Sequence, residues 1–333
     1  GVLSLIASLD QSFRFFYGGY QDEDDLQVAH DLFARSCSLR PDHYWTLLAL
    51  AHSQALLAQR DGNDSKTPAR NRYAMAIQSL GRCIALDPGN AFAYADRSAV
   101  YRMQADAIQE DISLDEDQRQ RRKTELLRLS LSDIERAVQL NFDQHWIHWH
   151  HGLSLLAVDQ RDQAIDSFLR AATEGFPLSQ NDDSMLIRFD DLHGREESAD
   201  ALSDLIDQTP EDGRLSTVLA AVRLNQNRID DATVAVQRAT QFPSADARWS
   251  AVTDVVNGMI QMRQERWAEA EVTFAKAQTD SPLAWNDPSG IATWLHFGMA
   301  TCSERNDELD AALDQYQNAQ QACINDPHRA TCA

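Results

Sequence analysis

The sequence predicts an all-α protein assembled from repeated antiparallel helix pairs, and three observations carry that prediction. Glycine and proline are sparse, 13 and 9 in 333 residues, so long stretches run without a helix breaker. Ala, Leu, Gln, Arg, Asp and Glu recur at three- and four-residue spacings, the mark of amphipathic helices, while the alternation expected of strands is nearly absent. One pattern also returns along the chain: a small residue, three residues, an aromatic or aliphatic one, two residues, then a second small residue.

In chain order, the pattern first falls on Ala29, Phe33 and Ser36, closed by Pro41. The acidic run from Gln21 to Asp25 leads into this helix, where carboxylates favour the positive end of the helix dipole. It returns on Ala76, Leu80 and Cys83, closed by Pro88, after a polar segment between Leu57 and Tyr73 that reads as an inserted loop. Next come Ser130, Ile134 and Ala137. Here the stretch from Ala107 to Leu131, a block of acids followed by a block of bases, reads as extended charged helices meeting at a turn. The clearest copy is Ala164, Phe168 and Ala171, with Gly152 upstream. The pattern fades through DSMLIRFDDLHGREESADALSDLIDQTP, then returns on Ala232, Val236 and Ala239. Ala270, Phe274 and Ala277 follow, with Gly258 upstream and Pro282 after, and Ala312, Tyr316 and Ala319 complete the series. Partner-helix signals precede several copies: Phe13, Phe16, Tyr17 and Tyr20; Tyr94, Ser98 and Tyr101; Trp294, Phe297 and Gly298.

These residues resemble the tetratricopeptide (TPR) repeat, a helix-turn-helix of about 34 residues with the signature W-x2-L-G-x2-Y, then A-x3-F, then P. The resemblance implies an all-α, right-handed superhelical solenoid of about eight antiparallel helix pairs spanning 1–333 as a single array. Its repeats fall at 10–43, 44–90 with the inserted loop, 91–144 with the charged insertion, 145–178, a degenerate 179–212, 213–246, 251–284 and 291–326. Small residues such as Gly152, Ala164 and Ala171 would let paired helices approach, with Phe168 filling the gap, because neither helix could bury its apolar stripe alone. Arrays resembling this one often follow protein-kinase domains in large bacterial proteins. The resemblance therefore implies a part of a larger bacterial signalling or scaffolding protein.

Composition narrows the partners. No run of about 18 apolar residues is present to span a bilayer. A formal charge of -21, from 51 acids against 30 bases, would repel a phosphate backbone, so nucleic acid is not expected and a neutral or basic protein partner is. Five scattered cysteines, Cys37, Cys83, Cys302, Cys323 and Cys332, form no C-x-x-C pair and fit a reducing, cytoplasmic setting better than a disulfide framework. The opening GVLSLIASLD lacks a basic segment ahead of an apolar run and does not read as a signal peptide.

The stretch HWIHWHHG, His145 to Gly152, is the one segment dense in potential chemistry. No phosphate-cradling, zincin, hydrolase-elbow or EF-hand motif accompanies it. Successive residues on a helix rotate by about 100°, so His145, His148 and His151 drift around the axis instead of converging as a zinc site requires. Histidines hydrogen-bonded within the repeat stack are the expectation, with no metal and no cofactor. With Gly152 as the signature glycine, the resemblance places His148 and His151 inside the repeat and turns Trp146, Trp149, His150 and Leu153 toward a concave groove. The same register gives Trp45, Leu48, Ala49, Phe92, Ala95, Val255, Val256, Met259 and Met262 groove positions. The basic clamp that some TPR proteins use for acidic chaperone tails is not matched, since its positions carry Arg14, Gly18, Ala49, Phe92 and Asp96. The expected function is a non-catalytic protein-interaction module that binds a peptide or helix through Trp45, Phe92, Trp146, Trp149, His150 and Leu153. The alternative is an array that self-associates or packs against other domains of its parent protein.

Overall fold

The computed structural model describes residues 23–61, 69–109, 114–140, 145–174, 202–280 and 291–325, and every regular element among them is a helix. The aromatic run Phe13 to Tyr20 and most of the degenerate stretch 179–212 lie outside the described residues. The helices are α1 (Glu23–Leu39), α2 (Tyr44–Asp61), α3 (Ala69–Leu86), α4 (Ala91–Gln109), α5 (Glu116–Gln139), α6 (His145–Ala157) and α7 (Arg161–Glu174). A short helix α8 covers 202–208. Then come α9 (Gly213–Asn225), α10 (Ile229–Gln241), α11 (Ala247–Arg263), α12 (Trp267–Asp280), α13 (Ile291–Arg305) and α14 (Leu309–Asn325).

The described helices fall into two compact units. The first holds α1 to α5 with Leu153–Gln160; the second holds the start of α6 to Gly152 and every described residue from Arg161 onward. Within the first, each helix packs on the next from α1 to α5, and α2 also touches α4. Within the second, the pairs α9 with α10, α11 with α12 and α13 with α14 repeat, and the leading helices α9, α11 and α13 form a contacting row. This is the helix-pair arrangement of a TPR fold.

One local device recurs at the turn inside four pairs. Asp159, Asn227, Glu265 and Asp307 have φ of 63°, 58°, 60° and 60°, the left-handed conformation that ends a helix and starts the return. In each case the next amide reaches five residues back: Gln160 to Leu155 O, Arg228 to Arg223 O, Arg266 to Gln261 O and Glu308 to Ser303 O, all at 2.9 Å. These bonds satisfy carbonyls the helix end would otherwise orphan. The same turn geometry thus closes four of the helix pairs.

The small-aromatic-small pattern is the core. Ala164, Phe168, Ala232, Ala270, Phe274 and Ala277 are all fully buried. A Cβ on Gly152 would lie 2.4 Å from Phe168 Cε1, and one on Gly258 would lie 2.6 Å from Phe274 Cε1. Phe274 is also met from the following pair, where a Cβ on Gly298 would come within 2.3 Å of its Cζ. A bare backbone on one helix thus accepts a ring from its neighbour, at a separation no side chain would permit. The first unit substitutes hydroxyls at such positions. Ser98 Oγ lies 2.9 Å from Ser130 Oγ, and Ser154 Oγ lies 3.0 Å from Ser130 Oγ, so three buried serines satisfy one another. Arg102 Nη1 donates to Ser154 Oγ at 2.6 Å, and Arg97 grips Asp133 with two bonds of 2.6 and 2.8 Å.

The two stretched segments can be compared with the structure in part. Of the segment between Leu57 and Tyr73 that reads as an inserted loop, 58–61 continue α2 and 69–72 begin α3, and the Gly-Asn-Asp-Ser stretch within 62–68 lies outside the described residues. The Ala, Gln and Arg residues flanking the Gly-Asn-Asp-Ser run are good helix formers, and their propensity extends both helices. The charged insertion does form helices as read. Asp115 caps α5 by accepting from Gln118 N at 2.8 Å, while the Gln118 side chain accepts the Asp115 amide at 3.3 Å, a complete capping box.

Candidate functional site

The first unit carries an exposed aromatic ledge, and helix caps set its position. His43 precedes α2; its ring Nδ1 accepts the Thr46 amide at 3.3 Å, and its carbonyl accepts the Leu47 amide at 3.1 Å. Asn90 precedes α4, and its Oδ1 accepts the Phe92 amide at 3.1 Å. Both caps fix the first turn of their helices, and Trp45 and Phe92 each stand second in that turn. Their rings meet edge to face with centroids 5.8 Å apart, and Tyr44 meets Trp45 the same way at 5.2 Å. Trp45 nevertheless remains 54% exposed. Phe92 is half-buried against the core of Leu47, Ala51 and Ala93.

One turn after Phe92 and two turns after Trp45, Asp96 of α4 and His52 of α2 join the same helices, with Nε2 and Oδ2 2.7 Å apart. Burial disfavours the imidazolium, but the adjacent Asp96 carboxylate more than offsets it, and the His52 pKa is raised. The Tyr44 hydroxyl is buried nearby, and burial with the negative charge of Asp96 pushes its pKa up. The structure brings the expected residues Trp45 and Phe92 together, and sequence reasoning missed His43, Asn90, His52 and Asp96 beside them. The capping residue directly ahead of each apolar helix was the available signal.

The second unit treats its predicted site residues differently. Trp149 is half-buried, with its ring 4.4 Å from that of Phe168, so much of its surface is engaged in the pair's own core. His148 is buried, and His151 Nδ1 lies 3.1 Å from Ser167 Oγ. His150 is half-buried, as is Leu153, which belongs to the first unit. The side chains of His145 and Trp146 lie outside the described residues. Of the other groove expectations, Leu48, Ala95, Val255, Val256, Met259 and Met262 are buried between helices and offer no open surface.

The inner helix of the second unit explains part of this. α7 contacts both α9 and α13. Asp162 pairs with Arg214 of α9 at 2.7 Å and Asp166 with Arg248 of α11 at 2.8 Å. At the other end of α7, the Ala172 carbonyl accepts from Asn225 of α9, and the Thr173 carbonyl accepts from Trp294 Nε1 at 3.1 Å. The row of leading helices is therefore covered, at least at these points, by a helix of the same chain. Sequence register could not show this, because it reports neighbours within a repeat and not contacts several repeats apart.

Among the described residues no three His, Cys, Asp or Glu side chains converge to hold a metal, and no helix is long and apolar enough to cross a membrane. Cys37, Cys83 and Cys302 are free and buried. Burial pushes the Cys83 thiol up to about 12 and the Cys302 thiol up to about 11, which leaves both protonated and unreactive near neutral pH.

No protein-family model and no curated protein sequence matches the chain. Among solved structures it is similar to yeast Tom70, at 14% identity over 90% of this chain and 55% of that one, with a TM-score of 0.35. The chain thus spans little more than half the length of Tom70. It is also similar to a tetratricopeptide repeat protein from Parabacteroides merdae (16% identity, 88% and 99% covered, TM-score 0.32). A third is YrrB, described as a TPR protein with an unusual peptide-binding site (14% identity, 75% and 92% covered, TM-score 0.32). The fold itself is seen in the chain's own packing, successive helix pairs with a ring of one helix seated on a glycine of its neighbour.

Proposed function

We propose that this chain is a non-catalytic protein-interaction module, and that the Trp45–Phe92 ledge of the first unit is where it takes a peptide or helix of its partner. The observation that supports this reading is the exposure of Trp45: a large aromatic ring is left 54% open while its neighbours Tyr44 and Phe92 and the His43 cap hold it in one place. A rigid aromatic anchor combines large burial on binding with little loss of entropy, which is why such residues dominate interface energetics. The net charge of -21 favours a neutral or basic partner segment over an acidic one. Leu153 remains a proposed contact of the same unit, and Trp146, Trp149 and His150 are proposed contacts of the second. The division of 1–333 into about eight repeats of one array is likewise proposed.

Replacing Trp45 by Ala should weaken partner capture with little change in melting temperature, while adding Phe92→Ala should weaken capture further and also lower the melting temperature, because Phe92 packs on the core. Trp149→Ala should lower stability, because it strips contact from Phe168. Capture that survives the first pair of substitutions in a folded protein would end this assignment.

A second reading, self-association or packing on other domains of the parent protein, is favoured by α14. There Leu309 and Leu313, one turn apart, are 67% and 57% exposed. A concentration-dependent rise in mass by light scattering, abolished by Leu309→Lys with Leu313→Lys, would support it; a constant monomer mass would remove it.

A further inference from the structure

The Trp45–Phe92 contact continues into a strip along the same two helices. Residues three, four or seven apart share a helix face, so Trp45, Ala49 and His52 line one side on α2, and Phe92 and Asp96 line the other on α4. All five are exposed or half-buried. Aromatic rings stand at one end, the His52–Asp96 pair at the other, and on α2 only the methyl group of Ala49 lies between. The Asp96 side chain keeps 15% of its surface, and Oδ2 is the oxygen that meets His52. Its other oxygen, Oδ1, accepts no hydrogen bond from the described residues. His52 can donate Nε2–H to Oδ2 as a neutral ring, which leaves the carboxylate charge uncancelled.

Elsewhere the chain sets arginines over its tryptophans. The guanidinium carbon of Arg248 lies 5.5 Å from the ring centroid of Trp249, and that of Arg305 lies 5.0 Å from Trp267. No described arginine or lysine does the same for Trp45, whose ring is 54% exposed.

We infer that the ledge takes an arginine side chain from within the partner's segment, its guanidinium stacked on Trp45 and hydrogen-bonded to Asp96. The inference rests on the Trp45–Phe92 reading and names the residue that this surface recognises. A guanidinium is planar and weakly hydrated, so its face can lie on an aromatic ring while its edge bonds a carboxylate. The Trp45 and Phe92 centroids are 5.8 Å apart. Asp96 follows Phe92 by one turn, about 6 Å along the helix, a span an arginine side chain covers. A net charge of -21 draws a cation toward the strip and repels an anion.

The test is NMR titration of the full chain with N-acetyl-arginine amide, N-acetyl-citrulline amide and N-acetyl-lysine amide, following the Trp45 indole. Mildly alkaline buffer favours the neutral imidazole, and citrulline keeps the shape of arginine without its charge. The arginine compound should bind and shift the indole resonance. The citrulline compound should bind about tenfold or more weakly, and the lysine compound severalfold more weakly. Asp96→Asn, which can still accept from His52, should erase the preference for arginine over citrulline. No binding of the arginine compound, equal binding of arginine and citrulline or of arginine and lysine, or a preference that survives Asp96→Asn would each overturn the inference. The comparison of compounds on the wild type decides even if the variant does not fold. Peptide capture that still depends on Trp45 would then leave the ledge assigned and remove only its arginine, whereas capture indifferent to Trp45 would remove the ledge itself.

Discussion

The ring of Phe168 occupies the space that any side chain on Gly152 would need: a Cβ there would stand 2.4 Å from Phe168 Cε1. Gly152→Ala should therefore destabilise the protein by about 1–3 kcal/mol, the usual cost of overpacking a core. Gly81 lies in α3, and a Cβ there would meet only Arg97 Nη1, at 3.7 Å. Gly81→Ala should instead stabilise by about 0.5–1 kcal/mol, since it removes a flexible residue from a helix. Urea unfolding of the two variants should give opposite signs; matching signs would mean that glycine content, and not ring packing, governs these positions.

The left-handed turn residues make a second prediction. Glu265 has a φ of 60°, a conformation disfavoured for a residue with a Cβ and without the short polar side chain of Asn or Asp. Glu265→Gly is expected to raise stability by about 1 kcal/mol. The gain at Asn227, whose residue type already tolerates φ of 58°, should be smaller. Thermal melts of the two glycine variants provide the comparison, and a loss at Glu265 would refute the turn assignment.

Two histidines should make stability respond to pH in opposite directions. His296 is buried, which lowers its pKa from the ordinary 6.5, although the Gln315 side chain 2.9 Å from Nδ1 partly opposes this. Its contribution is present above pH 6.5 and is lost as pH falls through the lowered value. His52 is raised from 6.5 by Asp96 despite burial, so its contribution is present below 6.5 and is lost as pH rises through the raised value. His296→Gln should flatten the acid side of the stability profile, and His52→Gln the side above 6.5. Denaturant melts across that range read both, and an unchanged profile in either variant would refute that histidine's role.

The fold was legible in the sequence wherever one residue's size dictates its neighbour's. Gly152, Ala164 and Phe168 could be placed in one core from their match to the repeat signature, whose small and aromatic positions answer to close helix approach. Val255, Val256 and Met259 were not legible in the same way. Their register gives a face of the helix, but whether that face is covered depends on segments far away in sequence, and all three are buried. Trp149 shows the same limit, since its ring spends itself on Phe168. Trp45 and Phe92 were legible as aromatics at equivalent positions. The His43 and Asn90 caps that hold them, and the His52–Asp96 pair beside them, needed coordinates.

The account's central claim is that Trp45 and Phe92 are the partner-binding surface, and one affinity comparison tests it most directly. Peptides would be selected from a random library on the full chain, then measured on the wild type and on the Trp45→Ala, Phe92→Ala double variant, at a temperature where circular dichroism shows both fully folded. The claim predicts a loss of affinity of about tenfold or more for the dominant peptide class. Equal affinity for both proteins would contradict it.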